Sequence, residues 1–338
     1  MIISRTPFRI SFFGGGTDYP DWFREHGGAV LATSIDKYCY LTVRHLPPFF
    51  EHRHRIVWSQ VELTSSVEEI KHPAVRAILG EMNGHQESQG YEIHHDGDLP
   101  ARAGLGSSSS FAVGLIHAMH ALNGRMVSKQ DLAREAIHIE QDVLREHVGC
   151  QDQVTTAHGG FNRIEFHRNG DIDINPVILS RDRLGRLQDS MMLVFTGVSR
   201  FASDVAAKQI ENLKSRTKEL TAMRQMVDEA TSILASSADP VEPFGRLLNE
   251  SWKLKRSLAA GVTTDKVDEV YAAALAGGAV GGKLLGAGGG GFMLFVVPDG
   301  KKERVLEGLR GLVDVRFRFE TGGSKVLYAE RDSWDNGG

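Results

Sequence analysis

The stretch Asp98–Leu122, DLPARAGLGSSSSFAVGLIHAMHAL, constrains this chain more than any other. A Gly-Leu-Gly turn runs into four serines, Ser107 to Ser110, and then Ala112, Val113, Leu115, Ile116 and Met119 recur at helical spacing. The pattern predicts a loop feeding the N-terminus of a buried helix over about 110–122. Unpaired backbone N–H groups and the positive end of the helix dipole meet at such a point, which suits a phosphate. Glycines let the backbone approach an anion closely, and serine hydroxyls can cap the helix or ligate a cation. A Ser-rich cap without a ligand is the plainer alternative, but four serines exceed what one cap needs. No Gly-Lys-Ser/Thr follows, so this is not a Walker A loop.

A length of 338 residues suits one large or two ordinary domains, and 41% hydrophobic residues are enough for a sizeable core. The net charge of −4 is spread over interspersed signs, with no basic run interleaved with aromatics, so nucleic acid is not an expected partner. Cys39 and Cys150 are the only cysteines, which excludes a disulfide framework or a zinc spacing. The N-terminus MIISRTPFRISFF lacks a basic region followed by a long apolar run, and no stretch is long enough to span a bilayer. A cytoplasmic protein without a membrane partner is the expectation. The glycines are clustered between periodic hydrophobic segments, which points to ligand-binding loops.

Residues 2–13 read as a strand ending at Gly14-Gly15-Gly16-Thr17-Asp18-Tyr19-Pro20, a tight turn that carries a carboxylate. Arg9 lies within that strand, either as an edge residue or facing a pocket shared with Asp18. Ala29–Ile35 and Lys37–His45 are further strand candidates. His52-Arg53-His54-Arg55 reads as a solvated turn of a hairpin, and His94-His95 face opposite ways on a strand and lack a third metal ligand. Helices are expected at about 73–83, 110–122 and 129–146. The last carries Glu140, and the turn after it, Gly149-Cys150-Gln151-Asp152-Gln153, carries Asp152 in an uncharged stretch. A buried carboxylate needs a partner, and Arg9 is a candidate.

Strands at 161–166 and 172–179 close the first half, and the polar 181–187 reads as a boundary. A strand at 191–195, helical segments over 202–235, and helices at 243–258 and 264–276 follow. The third glycine cluster, Gly277–Gly291, contains G-x-x-x-x-G-K and G-x-G-x-x-G, but both fail on context. Leu284 stands where a P-loop needs Ser or Thr, and a helix precedes the second motif where a dinucleotide fold needs a strand. What remains is a glycine loop able to lie against a ligand. A helix at 301–312 and strands near 314–320 and 324–330 complete an αβαββ pattern.

Three separated motifs together resemble the GHMP kinases, the family of galactokinase, homoserine kinase, mevalonate kinase and phosphomevalonate kinase. Thr6-Pro7-Phe8-Arg9-Ile10-Ser11-Phe12-Phe13-Gly14 with Thr17-Asp18-Tyr19 is similar to the first motif. Pro100–Ser109 is similar to the second, the ATP loop, and Leu285-Gly286-Ala287-Gly288-Gly289-Gly290-Gly291-Phe292 to the third. The resemblance implies an α+β fold of two domains. Residues 1–185 would form a ribosomal protein S5 domain 2-like domain with the ATP loop and catalytic residues. Residues 186–338 would form a ferredoxin-like α/β sandwich with the third motif. It also implies an ATP-dependent sugar kinase using Mg2+. Gly104, Leu105, Gly106, Ser107, Ser108 and Ser109 would hold the nucleotide phosphates, Ser108 and Glu140 the magnesium. Asp152 would orient the acceptor hydroxyl and take its proton, with Arg9 beside it. Gly15, Gly16, Thr17, Asp18, Gly288 and Gly289 would line the substrate.

Galactokinase-like members carry Glu-His where this chain has Gly15-Gly16, which argues against galactose. The Gly-Gly-Gly-Thr-Asp-Tyr-Pro turn, Thr196-Gly197 and Trp252-Lys253-x-Lys255 resemble the branch containing D-glycero-D-manno-heptose 7-phosphate kinases and fucokinase-like enzymes. That branch implies a sugar phosphate acceptor phosphorylated at C1 for surface polysaccharide precursors. A distal phosphate would need a cation, with Lys253, Lys255, Arg256, Lys208 and Arg200 as candidates. An L-fucose or other hexose 1-kinase, or a non-catalytic sensor of sugar and nucleotide, are the alternatives. A homodimer is compatible with the sequence and not required by it.

Overall fold

A computed structural model describes residues 1–83, 90–197 and 202–330. The expected first strand is β1 (Ile2–Phe13), buried along most of its length and paired antiparallel with β2 (Gly28–Leu46). The sequence predicts two strands where the single 19-residue β2 runs. Its two halves serve different neighbours. Gly28–Thr33 pairs with β6 (Phe161–Phe166), and Cys39–Leu46 pairs with β5 (Gly90–Gly97). The register against β1 shifts between Pro7 and Phe8, where proline has no N–H for the ladder.

The sheet continues through the β3 (His54–Val57) and β4 (Val61–Thr64) hairpin to one edge, and β7 (Ile172–Pro176) joins β6. The basic cluster is not wholly a solvated turn, because His54 and Arg55 open β3 and His54 is buried. Arg55 and His94 both meet Glu92, at 3.4 and 2.9 Å. Helix α1 (Pro20–His26) follows the first glycine turn, and α2 (Pro73–Asn83) matches its expected span. Helix α3 (Ser107–Leu122) crosses β1 so closely that a Cβ on Gly114 would stand 2.9 Å from Thr6 Oγ1. Helix α4 (Lys129–His138) ends sooner than expected, in a π-helical turn over Ile139–Val143, and α5 (Gln151–His158) follows.

The polar segment expected as a boundary is helical, α6 (Arg181–Asp189), capped by Ser180. Strand β8 (Met191–Phe195) then opens a smaller sheet. Helices α7 (Ala202–Asn212), α8 (Thr217–Ala235), α9 (Val241–Leu258) and α10 (Asp265–Gly277) lead to β9 (Gly281–Leu284), inside what the sequence presents as one loop. Strand β10 (Phe292–Val296), helix α11 (Lys302–Gly308) and β11 (Val313–Asp314) complete the order β11-β8-β10-β9.

The expected αβαββ ending needs correction. Strands β12 (Phe319–Glu320) and β13 (Lys325–Ala329) leave the second sheet and pair with β2 and β1 of the first. Ile2 faces Ala329 and Ile3 faces Tyr328, so the N–H and C=O groups at the outer edge of β1 are satisfied. A cut at residues 185/186 would therefore part these strands from their partners. The two halves also share a core, in which Phe244 of α9 packs edge-on against Phe12 and Phe13 at 5.4 and 5.1 Å.

Candidate active site

The expected phosphate loop and its helix meet at Gly106, which takes a left-handed φ of 72° as the N-cap. The helix thus starts at Ser107 rather than near 110, and all four serines lie in its first turn. None of them caps it. Ser107 Oγ accepts from Arg102 N at 2.9 Å, and Ser110 Oγ donates to the carbonyls of Pro7 and Gly106. Ser108 and Ser109 each donate to one oxygen of Glu140, at 2.7 Å. First-turn N–H groups lack intrahelical acceptors by geometry, so this end of α3 presents donors toward the loop. Leu105 turns its side chain into the core, and its carbonyl accepts from Arg9 N at 3.0 Å.

Glu140 projects from the π-helical turn, a feature that recurs at functional positions. Its buried carboxylate accepts from Ser108, Ser109 and Gln153 Nε2, all neutral donors, the last at 2.5 Å. Burial pushes its pKa up to about 7, against the pull of these hydrogen bonds. Gln153 Oε1 is buried beside it and meets no donor among the described residues. A carboxylate, a serine hydroxyl and an amide oxygen are hard oxygen ligands, and a divalent cation would supply the charge this carboxylate lacks. The residues present therefore fit the expected metal. Without divalent cation, the folded-state pKa exceeds the unfolded value near 4.5, so the folded state alone keeps the proton between those limits. The stability contributed by this group is full below about 4.5 and is lost as pH rises through about 7. Thermal unfolding in chelator from pH 5 to 8 should show that decline, and Glu140→Gln should flatten it.

Asp152 lies in the first turn of α5, not in a loop as the sequence suggests. Arg9, buried in β1, binds it with two parallel bonds, Nε to Oδ1 at 2.7 Å and Nη2 to Oδ2 at 2.6 Å. The remaining arm, Nη1, donates to Gly104 O at 2.6 Å. One guanidinium thus joins the carboxylate to the phosphate loop. A Cβ on Gly106 would stand 3.0 Å from Arg9 Cγ, so a side chain there would press on this pair.

Asp18 comes from the first glycine turn and is buried. Its carboxylate accepts from Gly16 N at 2.9 Å and Gln151 N at 3.3 Å. Burial and then the charge of Asp152 raise its pKa, so the two carboxylates are close enough to repel each other. The close approach requires Gly149, where a Cβ would stand 1.9 Å from Asp18 Oδ2. A Cβ on Gly15 would face Gln151 Nε2 and Ser11 Oγ at 3.6 and 3.7 Å, which places Gly15 beside the residue preceding Asp152, whereas one on Gly16 would stand 3.1 Å from Leu220. Thr17 lies inside the same turn. It is fully buried, and its hydroxyl donates to Gly14 O and Ala29 O inside the turn.

The third glycine loop touches the second through bare backbone. A Cβ on Gly104 would meet Leu285 O at 2.5 Å, and one on Gly291 would meet Ala103 O at 2.3 Å. Gly288 and Gly289 are tied to Val262, whose carbonyl accepts from Gly289 N at 3.0 Å, so they brace the loop. Lys255 points inward and donates to Leu284 O at 2.9 Å and to Gly286 O. Lys283 donates to Phe12 O at 2.8 Å, and its pKa falls to about 7 through burial and then Arg9. Sequence reasoning missed Lys283, although a lysine beside Leu284 and Leu285 marks a charge in an apolar run. Among the other cationic candidates, Lys253 pairs with Glu250 and Arg256 with Asp268, Lys208 is exposed on α7, and Arg200 lies outside the described residues.

The family described as GHMP kinases N terminal domain matches residues 69–160, and that described as GHMP kinases C terminal matches residues 236–313. The chain belongs to the GHMP kinase family. It is an ATP-dependent kinase. This GHMP kinase is 28% identical to a D-glycero-alpha-D-manno-heptose 7-phosphate kinase of Campylobacter jejuni, over 91% of this chain and 93% of that protein. It is 25% identical to a bifunctional fucokinase/GDP-fucose pyrophosphorylase of Arabidopsis thaliana, over 89% of this chain but 30% of that protein. Its fold superposes with a TM-score of 0.78 on a D-glycero-D-manno-heptose 1-phosphate kinase from Bacteroides thetaiotaomicron, at 25% identity, covering 98% of this chain and 100% of that one. No helix of this kinase among the described residues is long and apolar enough to cross a membrane.

Proposed function

We propose that this kinase transfers the γ-phosphoryl group of ATP to the anomeric hydroxyl of a sugar phosphate, with D-glycero-D-manno-heptose 7-phosphate as acceptor and the 1,7-bisphosphate as product. The observation that carries the reading is the Arg9 bridge from Asp152 to Gly104 O. It sets an acceptor-binding carboxylate beside a phosphate loop, and phosphoryl transfer depends on such positioning and on charge neutralisation. Full-length likeness to a heptose 7-phosphate kinase favours the acceptor.

In this reading Gly104–Ser109 cradle the nucleotide phosphates. Ser108 and Glu140 hold magnesium, which when bound neutralises charge on the phosphate oxygens. Asp152 receives the acceptor hydroxyl and its proton. An anomeric hydroxyl is more acidic than an ordinary alcohol, so a modest base suffices. Arg9 fixes the Asp152 carboxylate and places positive charge beside the transferred group. Asp18 lies on the acceptor side, where its buried carboxylate has lone pairs beyond its two backbone N–H partners for a sugar hydroxyl that reaches it. The N-terminal 1–185 supplies the phosphate loop and both catalytic residues, and 186–338 supplies the third loop. The product would serve as a precursor of surface polysaccharide.

The test is magnesium-ATP turnover against heptose 7-phosphate, heptose 1-phosphate, free heptose, mannose, galactose and L-fucose, with NMR locating the new phosphate. Activity on the 7-phosphate, phosphorylated at C1, is expected. L-Fucose as the sole acceptor would move the chain to the fucokinase branch that the Arabidopsis relative represents.

A further inference from the structure

Lys255 stands on the inner face of α9 with its ammonium inside the protein, and it is not ion-paired among the described residues. Its partners are two carbonyls, Leu284 O at 2.9 Å and Gly286 O. These bracket Leu285, whose own carbonyl presses on Gly104, and a Cβ on Gly286 would stand 2.4 Å from Gly104 Cα. Gly104 O in turn accepts from Arg9, and Arg9 holds Asp152. An unbroken series of contacts therefore runs from Lys255 through both glycine loops to the acceptor-binding carboxylate. Burial, Lys283 and Arg9 all depress the Lys255 pKa, while Asp152 opposes them, so these charges share one neighbourhood.

A buried ammonium is costly, and an apolar side chain of the same length would fill the space with a smaller desolvation penalty. Packing of α9 alone does not call for a lysine here, because Trp252, Leu248 and Phe244 already supply its buried apolar face. The lysine's distinctive contribution is to donate to two carbonyls that lie on either side of Leu285.

We propose that Lys255 is a positioning residue for phosphoryl transfer: by fastening the carbonyls of Leu284 and Gly286, it holds the third glycine loop on Gly104 and keeps the phosphate loop in register with Arg9 and Asp152. The inference rests on the kinase reading above, which assigns the roles of that loop and that pair. It differs from a distal-phosphate role, which would need the ammonium to face the acceptor.

The test compares the full chain with Lys255→Met, Lys255→Arg and, as a surface control, Lys266→Met, whose lysine forms only a loose pair with Glu269 at 3.8 Å. Three quantities are read: amide hydrogen exchange of segments 101–107 and 284–291, magnesium-ADP affinity, and kcat and KM for the sugar that the wild type accepts. Lys255→Met should exchange faster in both segments and lose about 10²-fold in kcat, the scale of an ångström-level misplacement, with acceptor KM little changed. Lys255→Arg, which keeps the charge and donors, should recover part of kcat, and Lys266→Met should match the wild type. Wild-type exchange in 101–107 together with wild-type kcat in Lys255→Met would overturn the proposal. So would faster exchange across the whole chain with no local excess, or a loss confined to acceptor KM. If Lys255→Met does not fold, Lys255→Gln takes its place under the same criteria. If the wild type phosphorylates no sugar, the kinase assignment of the acceptor fails, while exchange and ADP affinity still judge the clamp.

Discussion

Replacing Asp152 with Ala should lower turnover by about 10²- to 10⁴-fold while magnesium-ATP still binds, the range expected for a positioned proton acceptor. Both carboxylate oxygens accept from Arg9, yet the side chain stays 23% exposed, so lone pairs remain for an incoming hydroxyl. The nucleotide contacts assigned to Gly104–Ser109 do not pass through this carboxylate. Nucleotide affinity and kcat should therefore separate. Asp152→Asn sharpens the test, because the amide presents one oxygen and an NH2 group to the two donors of Arg9. It should be as slow as Asp152→Ala and less stable in urea. Wild-type kcat in either variant would remove Asp152 from the chemistry.

Arg9→Leu should be the most damaging single change to the fold among the site residues. The arginine side chain is 5% exposed and its loss leaves Asp152 without its cation and Gly104 O without a donor. Breaking a buried pair by removing one partner costs about 3–5 kcal/mol. Urea unfolding should report a loss of that order, and turnover should fall at least as far as for Asp152→Ala. Arg9→Lys separates charge from geometry. An ammonium cannot bind both Asp152 oxygens and Gly104 O in the planar fork of a guanidinium, so stability should return in larger part than kcat. Equal recovery of both would mean that charge alone matters at this position.

Much of this site is legible in the sequence because its parts are local. The serine-rich turn, the Gly14–Asp18 turn and the glycines at 286–291 each announce a backbone needing close approach or positive φ. Asp152 and Arg9 could be paired on paper because an acidic residue in an uncharged stretch demands a cation. The losses lie where the outcome depends on distant partners. Thr17 reads as a ligand residue, but its hydroxyl is drawn into the turn by Gly14 O and Ala29 O. Lys283 sits in a strand that periodicity cannot detect, since β9 has only four residues and two of them are glycine. The inward course of Lys255 depends on which face of α9 meets β9, and a lone helix cannot say that. The last strands read as the close of the second half, yet β2 claims β12 and the open edge of β1, more than 300 residues earlier in the chain, claims β13.

That last pairing bears on how the protein is made. The strand that carries Arg9 is made more than 300 residues ahead of its β13 partner, and its edge at Ile2–Arg5 stays open until residues 325–329 have been synthesised. The half that holds the phosphate loop and Asp152 therefore cannot finish as an autonomous unit during translation, as N-terminal domains commonly do. Its completion is deferred until those residues are made, and a nascent chain stalled before residue 319 would expose β1 as a template for unwanted strand pairing.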